Sequence, residues 1–87
     1  MSELVLHRRV QRYARRLPGD LKEKIKASLA KLAEDPDNYP GAIMMAGQWQ
    51  GYRRIRIGNL RVIYSYQLQE DTIYVDYLGP RGEIYKR

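Results

Sequence analysis

Cysteine is absent from the chain. That excludes disulfides, thiolate catalysis and the cysteine-based zinc sites of small domains. Histidine occurs once, at His7, so a two-histidine nuclease site and a His-rich metal site are both excluded. No GxGxxG or GxxxxGK[ST] loop is present, so nucleotide cofactors lack a phosphate cradle. Neither a cofactor nor a metal is expected. Long apolar runs are missing too: none approaches the roughly 20 residues of a membrane span. The basic residues His7, Arg8 and Arg9 are not followed by the apolar stretch of a signal peptide. The expected location is the cytoplasm, with no membrane partner.

Acidic residues are missing from one long stretch. None lies between Asp37 and Glu70, and Arg53, Arg54, Arg56 and Arg61 all fall inside that window. The net charge is +6 and the pI about 9.8. A solvated surface usually mixes signs, so this segregation points to a polyanionic or acidic partner, nucleic acid first. The plainer alternative is a generic soluble surface. The chain is read as a single domain over residues 1–87. A domain of this size buries roughly 60–65% of its surface, enough for one core and a shallow groove.

The pattern of what is present predicts an α+β fold. Leu4, Val5 and Leu6 form a short apolar run, read as a first strand. Val10, Tyr13, Ala14 and Leu17 recur at helical spacing, with Arg8, Arg9, Arg12, Arg15 and Arg16 on the opposite face. Pro18-Gly19-Asp20 breaks the chain. Asp20 then suits an N-cap, with Glu23 completing a capping box. Leu21, Ile25, Leu29, Leu32 and Ala33 make the stripe of a second helix ending near Glu34. The short turn between the helices predicts an antiparallel hairpin. Residues 35–41 read as a loop, and Ala42 to Gln50 as a connection with some extended structure. Beyond residue 50 the texture is that of strands: Tyr52–Ile57, Leu60–Tyr66 and Thr72–Leu78 are β-branched and aromatic. A short last strand is expected through Ile84 and Tyr85. Together these give an N-terminal strand and a helical hairpin packed on a mostly antiparallel, twisted sheet.

Ile57-Gly58-Asn59-Leu60 reads as a hairpin with a two-residue loop, and counting outward sets its register. Ile57 faces Leu60, Arg56 faces Arg61, Ile55 faces Val62 and Arg54 faces Ile63. Ile55, Ile57, Leu60, Val62 and Tyr64 then share the core face. Tyr52, Arg54, Arg56, Arg61 and Ser65 share the other. Like charges directly opposite cost a sheet up to about 1 kcal/mol. A purely structural hairpin has no reason to accept that, whereas a phosphate-binding surface has. The alternative is arginines splayed into water or paired with Asp71, Asp76 or Glu83. Trp49 stands near this surface, where a ring can stack on a base, although a lone tryptophan is more often core. The glycine-rich turn Gly79-Pro80-Arg81-Gly82 and the following Tyr85 add a second basic element.

These residues resemble the RelE/ParE toxin superfamily. Residues Tyr52 to Tyr64, YRRIRIGNLRVIY, are similar to its "YRIRVGDYRVIY" segment, and Leu78 to Tyr85 to its terminal "IGHRxxIY". The strand, Arg-rich helix and Lys-rich helix ending in Glu34-Asp35-Pro36 also fit. RelE-like members cut mRNA in the ribosomal A site, ParE-like members poison DNA gyrase, and other relatives are inactive. RelE-like catalysis uses basic residues on the second strand, an arginine on the third, another in the turn after the fourth, and a tyrosine near the end. The resemblance carries these roles to Arg54 and Arg56, Arg61, Arg81 and Tyr85. Arg53, Lys86 and Arg87 are expected to add RNA-binding charge. This implies a metal-independent endoribonuclease that needs the ribosome and inhibits translation. The alternatives are a gyrase-binding toxin without enzymatic activity and an inactive relative that only binds antitoxin. Every branch implies a cognate antitoxin protein as partner, in a toxin–antitoxin hetero-oligomer.

Overall fold

The computed structural model describes residues 1–80. Its elements are β1 (Glu3–Leu6), α1 (Arg8–Arg15), α2 (Gly19–Glu34), β2 (Ile43–Met44), a 3₁₀ turn (Gly47–Trp49), β3 (Arg53–Ile57), β4 (Leu60–Gln67) and β5 (Thr72–Pro80). The five strands form one sheet in the order β1-β5-β4-β3-β2. β1 runs parallel to β5, and every other pairing is antiparallel. The helices cover one face, giving the expected α+β architecture.

The helices form where the apolar spacing places them. In α1, Val10 is buried, with Tyr13 and Ala14 partly so, while all five arginines of the segment stay exposed. His7 is its N-cap: Nδ1 accepts from the Arg9 backbone N–H at 3.1 Å. The single histidine therefore ties off a free helix donor. In α2, Ile25, Leu29, Leu32 and Ala33 are buried against the sheet. Each such leucine or isoleucine contributes about 1.5–3 kcal/mol by leaving water. The capping box is corrected by the structure. Pro18 is the N-cap and makes no side-chain cap bond, and Asp20 lies inside the first turn. There its carboxylate favours the positive end of the helix dipole rather than closing it.

β4 is the centre of the sheet, and all residues from Leu60 to Ser65 are buried. Leu60, Val62 and Tyr64 pack toward the helices with Ile55, Ile57, Ile73, Val75 and Leu78. Ile63 belongs to a second, smaller cluster on the other face, with Trp49 and Tyr77. The sequence register puts Ile63 opposite Arg54 on this face, but does not specify the layer that Trp49 and Tyr77 build over it. That layer arises because Ala42 to Gln50 folds back as β2 and the 3₁₀ turn, setting Trp49 over the sheet. A bulge in β5 helps: Ile63 pairs Tyr77, but Tyr64 pairs Val75, so Asp76 is the extra residue. The bulge turns both Asp76 and Tyr77 to the outer face.

Candidate functional site

The β3–β4 hairpin has the register counted from its two-residue loop, from Ile57↔Leu60 to Arg54↔Ile63. Gly58 has φ +59°, whereas Asn59 has no positive φ. That pattern fits a loop with glycine at its first position, whose twist matches the strands. Arg54, Arg56 and Arg61 consequently share the sheet face opposite the helices. They line one pocket of 330 Å³ together with Gly41 and Ile43.

The three arginines differ in setting. Arg56 is exposed, Arg54 half-buried, and Arg61 only 6% exposed. Arg61 sits at the pocket floor, between Arg56 on β3 and Gly79 on β5. The ion pairs among the described residues are Lys26–Glu23 and Arg53–Asp37, so Arg54 and Arg56 have no described carboxylate partner. Of the acidic residues considered as partners, Asp71 and Asp76 are otherwise engaged, and Glu83 lies outside the described residues. Asp71 accepts from the hydroxyls of Ser2 and Tyr66, which holds its carboxyl below the usual range. Asp76 accepts from the Tyr52 hydroxyl at 2.8 Å, and its backbone carbonyl accepts from Arg9 Nε.

Arg53 turns the other way. It pairs Tyr64 on the helical side, donates to the Pro36 carbonyl at 3.1 Å and meets Asp37 at 3.2 Å. The structure therefore does not bring it into the cluster; it pins the α2–β2 loop to the sheet. The Tyr64 hydroxyl beside it is buried without a hydrogen-bond partner among the described residues. Burial pushes its pKa up, and the Arg53 charge offsets this in part. Arg81, Tyr85, Lys86 and Arg87 lie outside the described residues, as does the strand expected through Ile84 and Tyr85.

The structure makes Trp49 a core residue, the commoner role for a lone tryptophan, but sequence reasoning missed the layer it forms with Ile63 and Tyr77. Trp49 is 3% exposed and meets Tyr52 edge-to-face at 5.1 Å. Tyr77 lies over Gly79, where a Cβ would stand 2.7 Å from the tyrosine oxygen, and its hydroxyl donates to the Pro80 carbonyl at 3.1 Å. The signal was in Val75-Asp76-Tyr77-Leu78, whose apolar residues break strict alternation as a bulge requires. Chemically, the site offers fixed guanidinium forks that bind phosphate oxygens bidentately and stay charged at all working pH. Among the described residues, no group of three or more His, Cys, Asp or Glu could hold a metal ion. No helix is long and apolar enough to cross a membrane.

Comparison with known proteins places this geometry. A family model described as the ParE toxin of type II toxin–antitoxin systems, parDE, matches residues 4–85. The archaeal RelE–RelB complex from Pyrococcus horikoshii contains a chain 26% identical, with a TM-score of 0.80, covering 93% of this chain and 96% of that one. The RelBE2 complex from Mycobacterium tuberculosis is 15% identical, with a TM-score of 0.78 and coverage of 92% and 98%. The isolated Escherichia coli RelE toxin is 19% identical, with a TM-score of 0.76 and coverage of 98% and 92%. The last two likenesses are of fold alone. No functionally curated protein matches significantly by sequence.

Proposed function

Because the chain belongs to the ParE toxin family of type II toxin–antitoxin systems, within the RelE/ParE superfamily, we propose that it is a ribosome-dependent endoribonuclease that cuts mRNA in the A site. The observation that carries this reading is the convergence of Arg54, Arg56 and Arg61 on one pocket, two of them without a described carboxylate partner. A ribose 2′-oxygen attacks the adjacent phosphorus in line. The bond to the 5′-oxygen breaks, leaving a 2′,3′-cyclic phosphate. Arg56 and Arg61 stabilise the charge gathering on the phosphorane oxygens, with Arg54 beside them. By the resemblance, Tyr85 accepts the 2′-hydroxyl proton and Arg81 steadies the departing 5′-oxygen. A tyrosine base needs neighbouring cations to pull its pKa down from about 10. Such weak acid–base groups cut free RNA slowly, and the ribosome supplies the missing orientation of the substrate. The toxin acts in the cytoplasm, and its partner is a cognate antitoxin, as RelB is for the RelE chains of the solved complexes.

A second reading is favoured by the family model itself, which describes a ParE toxin. In it the chain poisons DNA gyrase without chemistry, and the arginines grip acidic protein surface. Primer extension on a translated message after brief induction separates the two. Cuts inside codons support the nuclease; intact mRNA with stalled replication supports the gyrase poison. Arg61→Ala should lower ribosome-dependent cleavage about 100–1,000-fold, the usual loss of one transition-state donor. Tyr85→Phe deletes only a hydroxyl; unchanged cleavage would remove Tyr85 from the mechanism.

A further inference from the structure

Beside the arginine pocket lies a second cavity of 420 Å³, lined by Ile43, Met44, Met45, Trp49 and Arg54 among others. Ile43 and Arg54, paired across β2 and β3, line both cavities. The two are therefore halves of one groove, cationic at one end and apolar at the other. Ile43 is 51% exposed and Met44 77% exposed, two large apolar side chains adjacent on one short strand. Strand β2 is only two residues long, so the apolar wall sits at a sheet edge, open to a ligand lying along the groove.

We propose that this apolar cavity holds one unpaired base of a single-stranded RNA whose adjoining phosphate lies on Arg54 and Arg56. The inference rests on the nuclease reading and deepens it. Three features select this occupant. The wall is apolar and its two methionines are polarisable and adaptable, suited to the flat face of any base. The cavity volume is within the roughly 300–1,000 Å³ of small-ligand sites. Arg54 forms the shared wall without a described carboxylate partner, so an anionic group that follows the apolar one within a residue's reach meets its guanidinium. A nucleotide has that order of parts.

The test uses a short single-stranded RNA with 2′-O-methyl groups, which cannot be cleaved, and versions carrying one abasic unit at each position in turn. Binding is followed by fluorescence anisotropy, and in parallel by the methyl NMR signals of the three methionines. Removing the base at one position should weaken binding about 5- to 150-fold, the range for one stacked base. The Met44 and Met45 methyl signals should move with intact RNA and not with that abasic version. Ile43→Ser with Met44→Ser, both at exposed positions, should erase the penalty while leaving the salt dependence of binding unchanged. If RNA binds in a salt-dependent way but every abasic version binds equally well, the base site is refuted and the arginine reading survives. If no RNA binds, both fall. If the methionine signals ignore RNA and respond only to antitoxin or gyrase, the cavity is a protein contact and the proposal is overturned.

Discussion

Gly79→Ala should be a sharply destabilising change, although the position is in ordinary extended backbone. The added Cβ would lie 2.7 Å from the Tyr77 oxygen, 3.0 Å from Cζ and 3.3 Å from Cε1. A tyrosine at the surface would swing aside at little cost. Tyr77 is only 8% exposed and packs with Ile63 and Trp49, and Gly79 itself is held in register opposite Arg61. Overpacking of this kind costs about 1–3 kcal/mol, and each kcal/mol lowers Tm by roughly 4–8 °C in a domain of this size. Tyr77→Phe alone should cost about 0.5–1.5 kcal/mol, the net value of one hydrogen bond, here to the Pro80 carbonyl. In the Tyr77→Phe background the closest contact is gone, so Gly79→Ala should cost less there, by at least about 0.5 kcal/mol. Urea and thermal melts of the four proteins measure this coupling. Additive effects, or a neutral Gly79→Ala, would refute the argument that Tyr77 occupies the glycine's missing side chain.

Arg56→Thr should raise stability by up to about 1 kcal/mol in a thermal melt, because it removes the like charge facing Arg61, and should impair RNA binding at the same time. Tyr64→Phe should be neutral or stabilising, contrary to most buried Tyr→Phe changes, since the hydroxyl it deletes is buried beside Arg53 with no well-formed hydrogen bond among the described residues; a clear loss in urea midpoint would show a partner. Asp71→Asn keeps the backbone tolerated at φ +50° and removes the charge held by Ser2 and Tyr66. Since that carboxyl is depressed on folding, its contribution is present above the ordinary Asp value of about 3.9 and is lost as pH falls through the lower folded value. The Tm gap between wild type and Asp71→Asn should therefore be flat near neutrality and close in acid, and a gap independent of pH would refute the linkage.

The sequence was most legible where geometry is counted rather than weighed. A two-residue loop leaves one register, so Arg56 opposite Arg61 followed from Gly58 and Asn59 alone. The helical stripes were equally plain, because Ile25, Leu29 and Leu32 leave α2 one face to bury. The capping box failed because the chain enters α2 through Pro18, two residues earlier than Asp20, which places Asp20 inside the first turn. The parallel β1–β5 pair was not specified, since neither strand carries a mark that names a distant neighbour. The layer formed by Trp49, Ile63 and Tyr77 was hidden for a related reason. It needs a bulge at Asp76 and a fold-back of Ala42 to Gln50, and both are set by tertiary packing. Of the site itself, the arginine face was readable and its apolar extension through Ile43 and Met44 was not.

The parallel pairing of β1 with β5 has a consequence for assembly, because it joins segments far apart in the chain. The β3–β4 hairpin closes through two residues, the kind of contact that forms in about 1–10 μs. By contrast, Ser2 meets Asp71 across 69 residues, and β1 has no neighbour until Thr72–Val75 exist to pair with it. The strand that joins β1 to the rest also brings Ile73, Val75 and Leu78 to the core. Chains made from the N-terminus thus hold the β3–β4 hairpin before β5 exists to pair with β4. Only when β5 slides between β1 and β4 does the arginine surface acquire a fixed shape, with Gly79 and Tyr77 closing beside Arg61. A ribosome making this toxin must pass Pro80 before the surface proposed to cut mRNA is built.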